Sequence, residues 1–438
     1  MISNGLNEFK AKRVLMLQGP VGPFFTRFAT DLQLAGAVVF KINFNGGDWL
    51  FSGSSSFSQV FNFTGKPADW PAYFDDLLLR LNIDTVFLFG DCRPMHVAAI
   101  AVIRERGQQV GVFEEGYLRP DYITLERDGV NNNSWLPRNP AFYLEQPQHE
   151  PTPCEPLGST YGQATKWGGL YFAAASLARI KFRHYQHHRR LGFGDFPSWM
   201  LSYWRKFVYK VSERKVLPSL TTENSGNFFL VSLQTRGDAQ MSVHSDFESV
   251  EQFIEYVVMS FVQHAPEGSL LALKHHPLDR GYSDYTLLIK RLTKQHKLEG
   301  RCLYIHDQHL PTLLVHAGGV VVVNSTAGLS AVGEGVPVKV CGHSIYDIQG
   351  LTFQGSLDTF WKNAHLAEPN DELYKAFRGY LISHTQHRGS FYKRLPGVSF
   401  QSGVMWADHG FEASHLNAEE EQRGIRHLKR TKGLRGSG

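Results

Sequence analysis

Four consecutive valines, Val320 to Val323, set between Gly318-Gly319 and Asn324, constrain the fold more than any other stretch. A β-branched run with no polar interruption suits a strand buried on both faces, which a parallel sheet covered by helices supplies. The residues after it read as a helix. Ser325 or Thr326 serves as N-cap, Leu329 and Val332 form an apolar stripe, and Gly333 and Gly335 end the helix before Pro337 opens another strand. A Ser-Thr pair at a helix start presents backbone N–H groups, hydroxyls and a positive dipole end at the carboxyl edge of a sheet, where phosphate binds well. Asn324, Ser325, Thr326, Ala327 and Gly328 are therefore candidate nucleotide contacts, beside the plainer reading of a strand–helix–strand unit with a capping serine.

At 438 residues the chain is long enough for about two or three domains. Hydrophobic residues make up 42% and aromatic residues 13%, which excludes wholesale disorder. The first ten residues lack an apolar signal core, and no later run offers the ~18 apolar residues of a membrane span. A cytoplasmic location is expected. Cys92, Cys154, Cys302 and Cys341 show no CxxC spacing, so neither a disulfide framework nor a zinc site is indicated.

The N-terminal part opens as strand, helix, strand. Arg13 to Gln18 runs into Gly19-Pro-Val-Gly-Pro-Phe-Phe25, a helix covers Thr26 to Ala35, and the strand Ala37 to Phe44 leads to Asn45-Gly-Gly-Asp48. The turn lacks GxGxxG and a P-loop lysine, so Gly19 and Gly22 either admit a substrate to the backbone or serve the turn alone. The next strand, Asp84 to Asp91, delivers Asp91, Arg93 and His96 to its carboxyl end. Gln109 to Phe113 then delivers Glu114-Glu115-Gly116 and Arg119. Ligands of open α/β sheets sit outside the carboxyl ends of the strands, and this density of ionisable groups exceeds what packing requires.

Residues 151–225 break the α/β rhythm. From Lys166 to Lys215 there are 11 Lys or Arg against Asp195 and Glu213, with aromatics such as Trp167, Tyr171, Trp199 and Trp204 interleaved. That composition faces either an anionic surface or, as a solvated face, plain water. With no nucleic-acid module in the sequence, a membrane is the expected partner rather than nucleic acid. A second α/β region follows, in which the strand Ser269 to Lys274 empties into Lys274-His275-His276-Pro277. This turn and the Asn324 to Gly328 turn would hold a phosphate from two sides.

Taken as a set, Gly-Pro-Val-Gly-Pro-Phe-Phe (19–25), Asn-Phe-Asn-Gly-Gly-Asp (43–48), Gly-Asp-Cys-Arg-Pro-Met-His (90–96), Glu-Glu-Gly-Tyr-Leu-Arg-Pro (114–120), Lys-His-His-Pro (274–277) and Asn-Ser-Thr-Ala-Gly-Leu (324–329) resemble the KpsS/LipB capsular polysaccharide family from about residue 12 to about 395. The resemblance implies a GT-B-like α/β fold, two Rossmann-like halves facing a central cleft with a basic helical insert between them. The corresponding division is 1–150, an insert at 151–225, 226–400, and a partly disordered tail at 401–438. It further implies a retaining β-Kdo transferase that moves Kdo from CMP-Kdo to a phosphatidylglycerol-type lipid at the inner face of the inner membrane, with other capsule biosynthesis and export proteins as further candidate partners. Glu115 then acts as nucleophile with Glu114 as its competitor, and Asp91 and His96 act on the acceptor or bind Kdo. Arg93, Arg119, Asn45, Asp48, Gly19 and Gly22 face the substrate, and Lys274, His275, His276 and Pro277 face the nucleotide. Related Kdo transferases show Glu-Asp-Gly where this chain has Glu114-Glu115-Gly116. With no Asp-x-Asp motif in place, neither a metal nor a cofactor is expected. A transferase or epimerase using a UDP-sugar, and a non-catalytic capsule scaffold, are the alternatives.

Overall fold

In the computed structural model, which describes residues 4–147, 156–186, 196–236, 241 and 244–406, the apolar runs of the first third become strands of one sheet. These are β1 (Arg13–Met16), β2 (Val38–Asn43), β3 (Gln59–Asn62), β4 (Thr85–Phe89), β5 (Gln109–Glu115) and β6 (Tyr122–Arg127). A late strand, β12 (Gln386–Arg388), completes the order β12-β6-β5-β4-β1-β2-β3. Strands β1 to β5 pair in parallel, whereas β6 and β12 pair antiparallel.

Alternation along each strand builds two apolar layers. Val14 and Met16 pack on one face with Phe24 and Phe28 of helix α1 (Phe24–Leu34). Leu15, Val86 and Val112 pack on the other with Trp70 and Phe74 of α3 (Trp70–Arg80) and Ile100 of α4 (Pro94–Glu105). Between β2 and β3 lies the short α2 (Gly46–Leu50).

The chain divides into two compact units. One holds Met1–Pro137, Thr152–Tyr185 and the chain from Leu381, and the other Arg138–Pro151 and Gln186–Tyr380. These edges differ from the expected divisions at 150, 225 and 400. The basic insert is not one body: α6 (Tyr161–Leu177) belongs to the first unit, while α7 (Phe196–Ser212) and α8 (Val216–Thr221) belong to the second. Helix α5 (Pro140–Glu145) joins the second unit through Tyr143, whose ring meets Phe377 edge-on at 5.0 Å. After Leu381 the chain returns to the first unit. Buried Asp31 accepts hydrogen bonds from the backbone N–H of Gln401 (2.6 Å) and Ser402 (2.8 Å), and Trp406 packs on Phe28 at 4.7 Å. Residues 401–406 are thus core-bound, and the remainder of the expected tail, 407–438, lies outside the described residues, as do Cys154 and Asp195.

In the second unit, β7 (Phe228–Ser232), β8 (Leu270–Lys274), β9 (Cys302–Ile305), β10 (Gly319–Val322) and β11 (Val338–Val340) form an all-parallel sheet of order β11-β10-β7-β8-β9. The valine run is fully buried within it, as its composition requires. In both sheets strand order reverses about the first strand, between β1 and β4 and between β7 and β10. Such reversals open a crevice at the carboxyl ends. Among the described residues no helix is long and apolar enough to cross a membrane, and Cys92, Cys302 and Cys341 form no disulfide.

Candidate functional site

In the first unit the reversal between β1 and β4 is spanned by side chains. Arg93, preceding α4, donates from Nη1 to Gln18 Oε1 at 3.0 Å. Gln18 follows β1, whereas the sequence pattern marks it only as that strand's last residue. Glu114 comes alongside from β5: a Cβ on Gly90 would lie 3.6 Å from its Oε2 and 3.9 Å from Arg93 Nε. Burial, reinforced by the charges of Glu115 and Asp91, pushes the Glu114 carboxyl up to about 7. Its Oε1 accepts the Glu115 N–H at 2.9 Å, curling the side chain along the strand end. Glu115 takes the phenol of Tyr392 on Oε1 at 2.7 Å. The adjacent carboxylates therefore have different partners, as alternation along a strand demands. Gly116 cannot bear a side chain, since a Cβ there would overlap the Tyr122 carbonyl.

Several residues expected to meet substrate are occupied by the protein itself. Asp91 is buried and accepts from Val130 N–H and Asn133 Nδ2, each at 3.0 Å, which ties down the loop after β6. His96 is fully buried, with Nδ1 2.7 Å from the Gly90 carbonyl, and burial with the nearby Arg93 charge lowers it to about 3. It is a neutral brace for the β4 turn. Arg119 is exposed, with Nε donating to the Gly116 carbonyl at 3.2 Å.

Asn45 and Asp48 secure α6. Asn45 caps α2 by accepting from Gly47 and Asp48 N–H, and its Nδ2 donates to Tyr171 Oη at 2.8 Å. That hydroxyl donates to Asp48 Oδ1 at 2.8 Å. Burial raises Asp48 and lowers its neighbour Lys41 to about 8. Gly46 and Gly47 allow the helix in: a Cβ on Gly47 would lie 2.6 Å from the Tyr171 ring. Gly22, at φ +113°, packs on Trp167 of the same helix, and Gly19 on Phe25. The motif at 43–48 is thus a helix-docking device, and its contacts are inside the fold rather than toward a ligand.

In the second unit a comparable bridge spans the reversal, where Gln234 Nε2 donates to Asn324 Oδ1 at 2.6 Å. Ser325 caps the helix Thr326–Gly333 by accepting from Ala327 N–H at 3.3 Å. Ala327 and Gly328 are buried, and Gly328 makes room for the Tyr346 hydroxyl, which donates to the Ser325 carbonyl. At the end of β8, Lys274 is buried and its pKa is lowered by burial, against Asp307 and Glu213 nearby. His275 Nδ1 meets Tyr304 Oη at 2.7 Å, and burial with the nearby His306 lowers it to about 4. His276 is half-buried and accepts the Leu278 N–H at 3.2 Å, and Pro277 is exposed.

Sequence reasoning gave no role to His306 after β9. Its ring lies 5.4 Å from that of His275, and both histidines leave a buried Nε2 with no hydrogen-bond partner among the described residues. The available signal was position alone: strand β9 neighbours β8 and ends one residue before it.

Two mainly parallel sheets, each reversing strand order about its first strand and crowding polar groups at that edge, define an α/β protein organised to hold ligands at strand ends. Sequence comparison identifies the particular kind. Residues 84–392 match the capsule polysaccharide biosynthesis protein family, and the chain belongs to it. It is 41% identical over 383 residues to the capsule polysaccharide export protein KpsS of Escherichia coli, covering 87% of this chain and 97% of that one. It is 39% identical over 404 residues to the capsule polysaccharide modification protein LipB of Neisseria meningitidis, covering 90% and 96%. The solved structure of Thermosulfurimonas dismutans KpsC, a beta Kdo 2,7 transferase, is 13% identical with a TM-score of 0.41, over 95% of this chain and 100% of that one.

Proposed function

We propose that this protein is a retaining glycosyltransferase that moves Kdo from CMP-Kdo to a phosphatidylglycerol-type lipid, beginning the poly-Kdo linker of a capsular polysaccharide at the inner face of the inner membrane. The observation that carries the reading is the carboxylate pair ending β5, with Glu114 pushed up to about 7 and Glu115 held by Tyr392. Family membership and the names of the relatives support capsule chemistry for that pair.

Retention needs two displacements. In the first, a Glu115 carboxylate oxygen bonds to the anomeric carbon as the bond to the CMP phosphate breaks, and the electron pair leaves with the phosphate. In the second, the acceptor hydroxyl oxygen attacks that carbon, the Glu115 carboxylate departs with its pair, and the hydroxyl proton passes to Glu114. A group near 7 is matched to this proton transfer at neutral pH. Arg93 and Arg119 pair with the Kdo carboxylate.

The nucleotide phosphate is met by Lys274, His275, His276, His306 and the first turn of Thr326–Gly333, which stabilise the departing charge. We assign this role to protein groups alone, with no metal or cofactor, so that transfer persists in a chelator. The decisive experiment is mass spectrometry of a lipid acceptor incubated with CMP-Kdo and the purified protein. A mass gain of one Kdo that Glu115→Gln abolishes supports the assignment. Transfer only from a UDP-sugar, or no transfer from any nucleotide sugar, rejects it in favour of another transferase or a scaffold.

A further inference from the structure

Helix α7 turns its apolar residues away from the unit it belongs to. Its inward side is polar. Arg205 Nη1 donates to the Arg280 carbonyl at 2.7 Å, and Nη2 pairs with Asp284 at 2.7 Å. The Tyr209 ring stacks on His306 at 3.6 Å, and a Cβ on Gly281 would overlap the Ser198 carbonyl. Just beyond the helix, Glu213 accepts from His306 N–H and Gln308 Nε2, both at 3.0 Å. The opposite side carries Met200, Tyr203, Trp204, Phe207 and Val211, all exposed, Trp204 by 67% and Phe207 by 51%. Their spacing repeats at three and four residues, so they form one stripe along the helix. A helix that packs its polar face and presents its apolar one is inverted relative to an ordinary surface helix, and a contiguous exposed apolar patch marks an interaction site.

Charge decides the occupant. Lys206, Lys210, Arg214 and Lys215 are exposed on the helix and just after it, while Glu213, the carboxylate of the stretch 197–222, is buried. In a two-fold pairing with a second copy, the patch would meet itself and set cations against cations. Tryptophan, tyrosine and long-stemmed lysines beside aliphatic residues instead suit the boundary between headgroups and acyl chains, where rings sit at the interface and lysine heads reach back to anionic phosphate.

We propose that α7 is an interfacial membrane anchor that lays its Met200–Val211 face into the surface of an anionic bilayer. The reason for a bilayer to be present rests on the lipid-acceptor reading above; the anchor itself stands on the helix geometry and charge. The sequence pointed to the whole of 166–215, but α6 is docked in the first unit through Tyr171, which leaves the second helix to do this. Residues 187–195 of that stretch, Arg189 and Arg190 among them, lie outside the described residues.

The test uses the full chain with phosphatidylcholine vesicles, with and without phosphatidylglycerol. The parent protein should float with the phosphatidylglycerol vesicles and release as salt rises. Trp204→Glu combined with Phe207→Glu should weaken binding on the order of tenfold or more, and Lys206→Gln with Lys210→Gln should weaken it at low salt only. All four positions are exposed, and an unchanged melting temperature verifies that the variants fold. Flotation of both double variants equal to the parent overturns the proposal. So does a parent oligomer that the Trp204/Phe207 variant converts to monomers. A parallel transfer assay with a water-soluble short-chain acceptor separates the two readings. Vesicle binding without transfer keeps the anchor and removes the enzyme, whereas transfer without vesicle binding does the reverse.

Discussion

Replacing Glu114 by Gln should stabilise the protein while slowing the reaction. A free glutamate titrates near 4.5, and burial in this fold pushes Glu114 up to about 7. The folded state therefore retains a proton that the unfolded chain releases between those values, and stability falls as pH rises through that window, with the full loss present above it. At about 1.4 kcal/mol per pH unit, the penalty reaches roughly 3 kcal/mol as an upper figure. Glutamine keeps the size and carries no charge, so the variant should melt about 6–12 °C higher than the parent at pH 8, for a unit of about 200 residues. Below pH 4.5 the difference should vanish, because both side chains are then neutral. Thermal melts of parent and variant across this range, read by a probe in the first unit, measure it directly. A variant that melts no higher than the parent at pH 8, or a difference independent of pH, refutes the reasoning. Such a residue, costly to the fold and placed among charges at a strand end, is the usual mark of a stability–activity trade-off.

Removing the Tyr392 hydroxyl with Tyr392→Phe takes a hydrogen bond of 2.7 Å from Glu115; a charged hydrogen bond of about 1.5–3 kcal/mol implies roughly ten- to hundredfold slower transfer, with CMP affinity by calorimetry unchanged. Gly47→Ala sets a Cβ 2.6 Å from the Tyr171 ring, so α6 should be displaced at a cost of about 1–3 kcal/mol, seen as faster limited proteolysis within residues 156–186 and a lower melting temperature. His276→Ala should weaken CMP binding in a folded protein, and unchanged affinity by calorimetry would remove the Lys274–Pro277 turn from the nucleotide site. Activity should rise with pH through about 7 as Glu114 becomes a base, and Glu114→Gln should flatten that limb.

The α/β class, the strands Arg13–Met16, Thr85–Phe89, Gln109–Glu115, Leu270–Lys274 and Gly319–Val322, each to within about two residues at its end, and the Ser325 cap were legible in the sequence because they arise from local pattern. Valine runs need a sheet buried on both sides, and a serine before an apolar stripe starts a helix. The pair Glu114-Glu115 was legible for the same reason, since a buried parallel strand places its last residues at the carboxyl edge of the sheet. What each residue does there depends on partners far along the chain. Asp91 reads as a catalytic residue and Asp48 as a substrate contact, yet one ties Val130 and Asn133 and the other holds Tyr171, more than a hundred residues away. Gln18, Gln234 and His306 carried no sequence signal, because their roles arise from strand order, which brings β1 beside β4, β7 beside β10 and β8 beside β9. Charge and aromatic content marked 166–215 as a surface, but only packing separated a helix held by Gly46 and Gly47 from one whose apolar face is left outward. Local patterning sets where elements begin and end; long-range contacts decide which polar groups are consumed by the fold and which remain to meet a ligand.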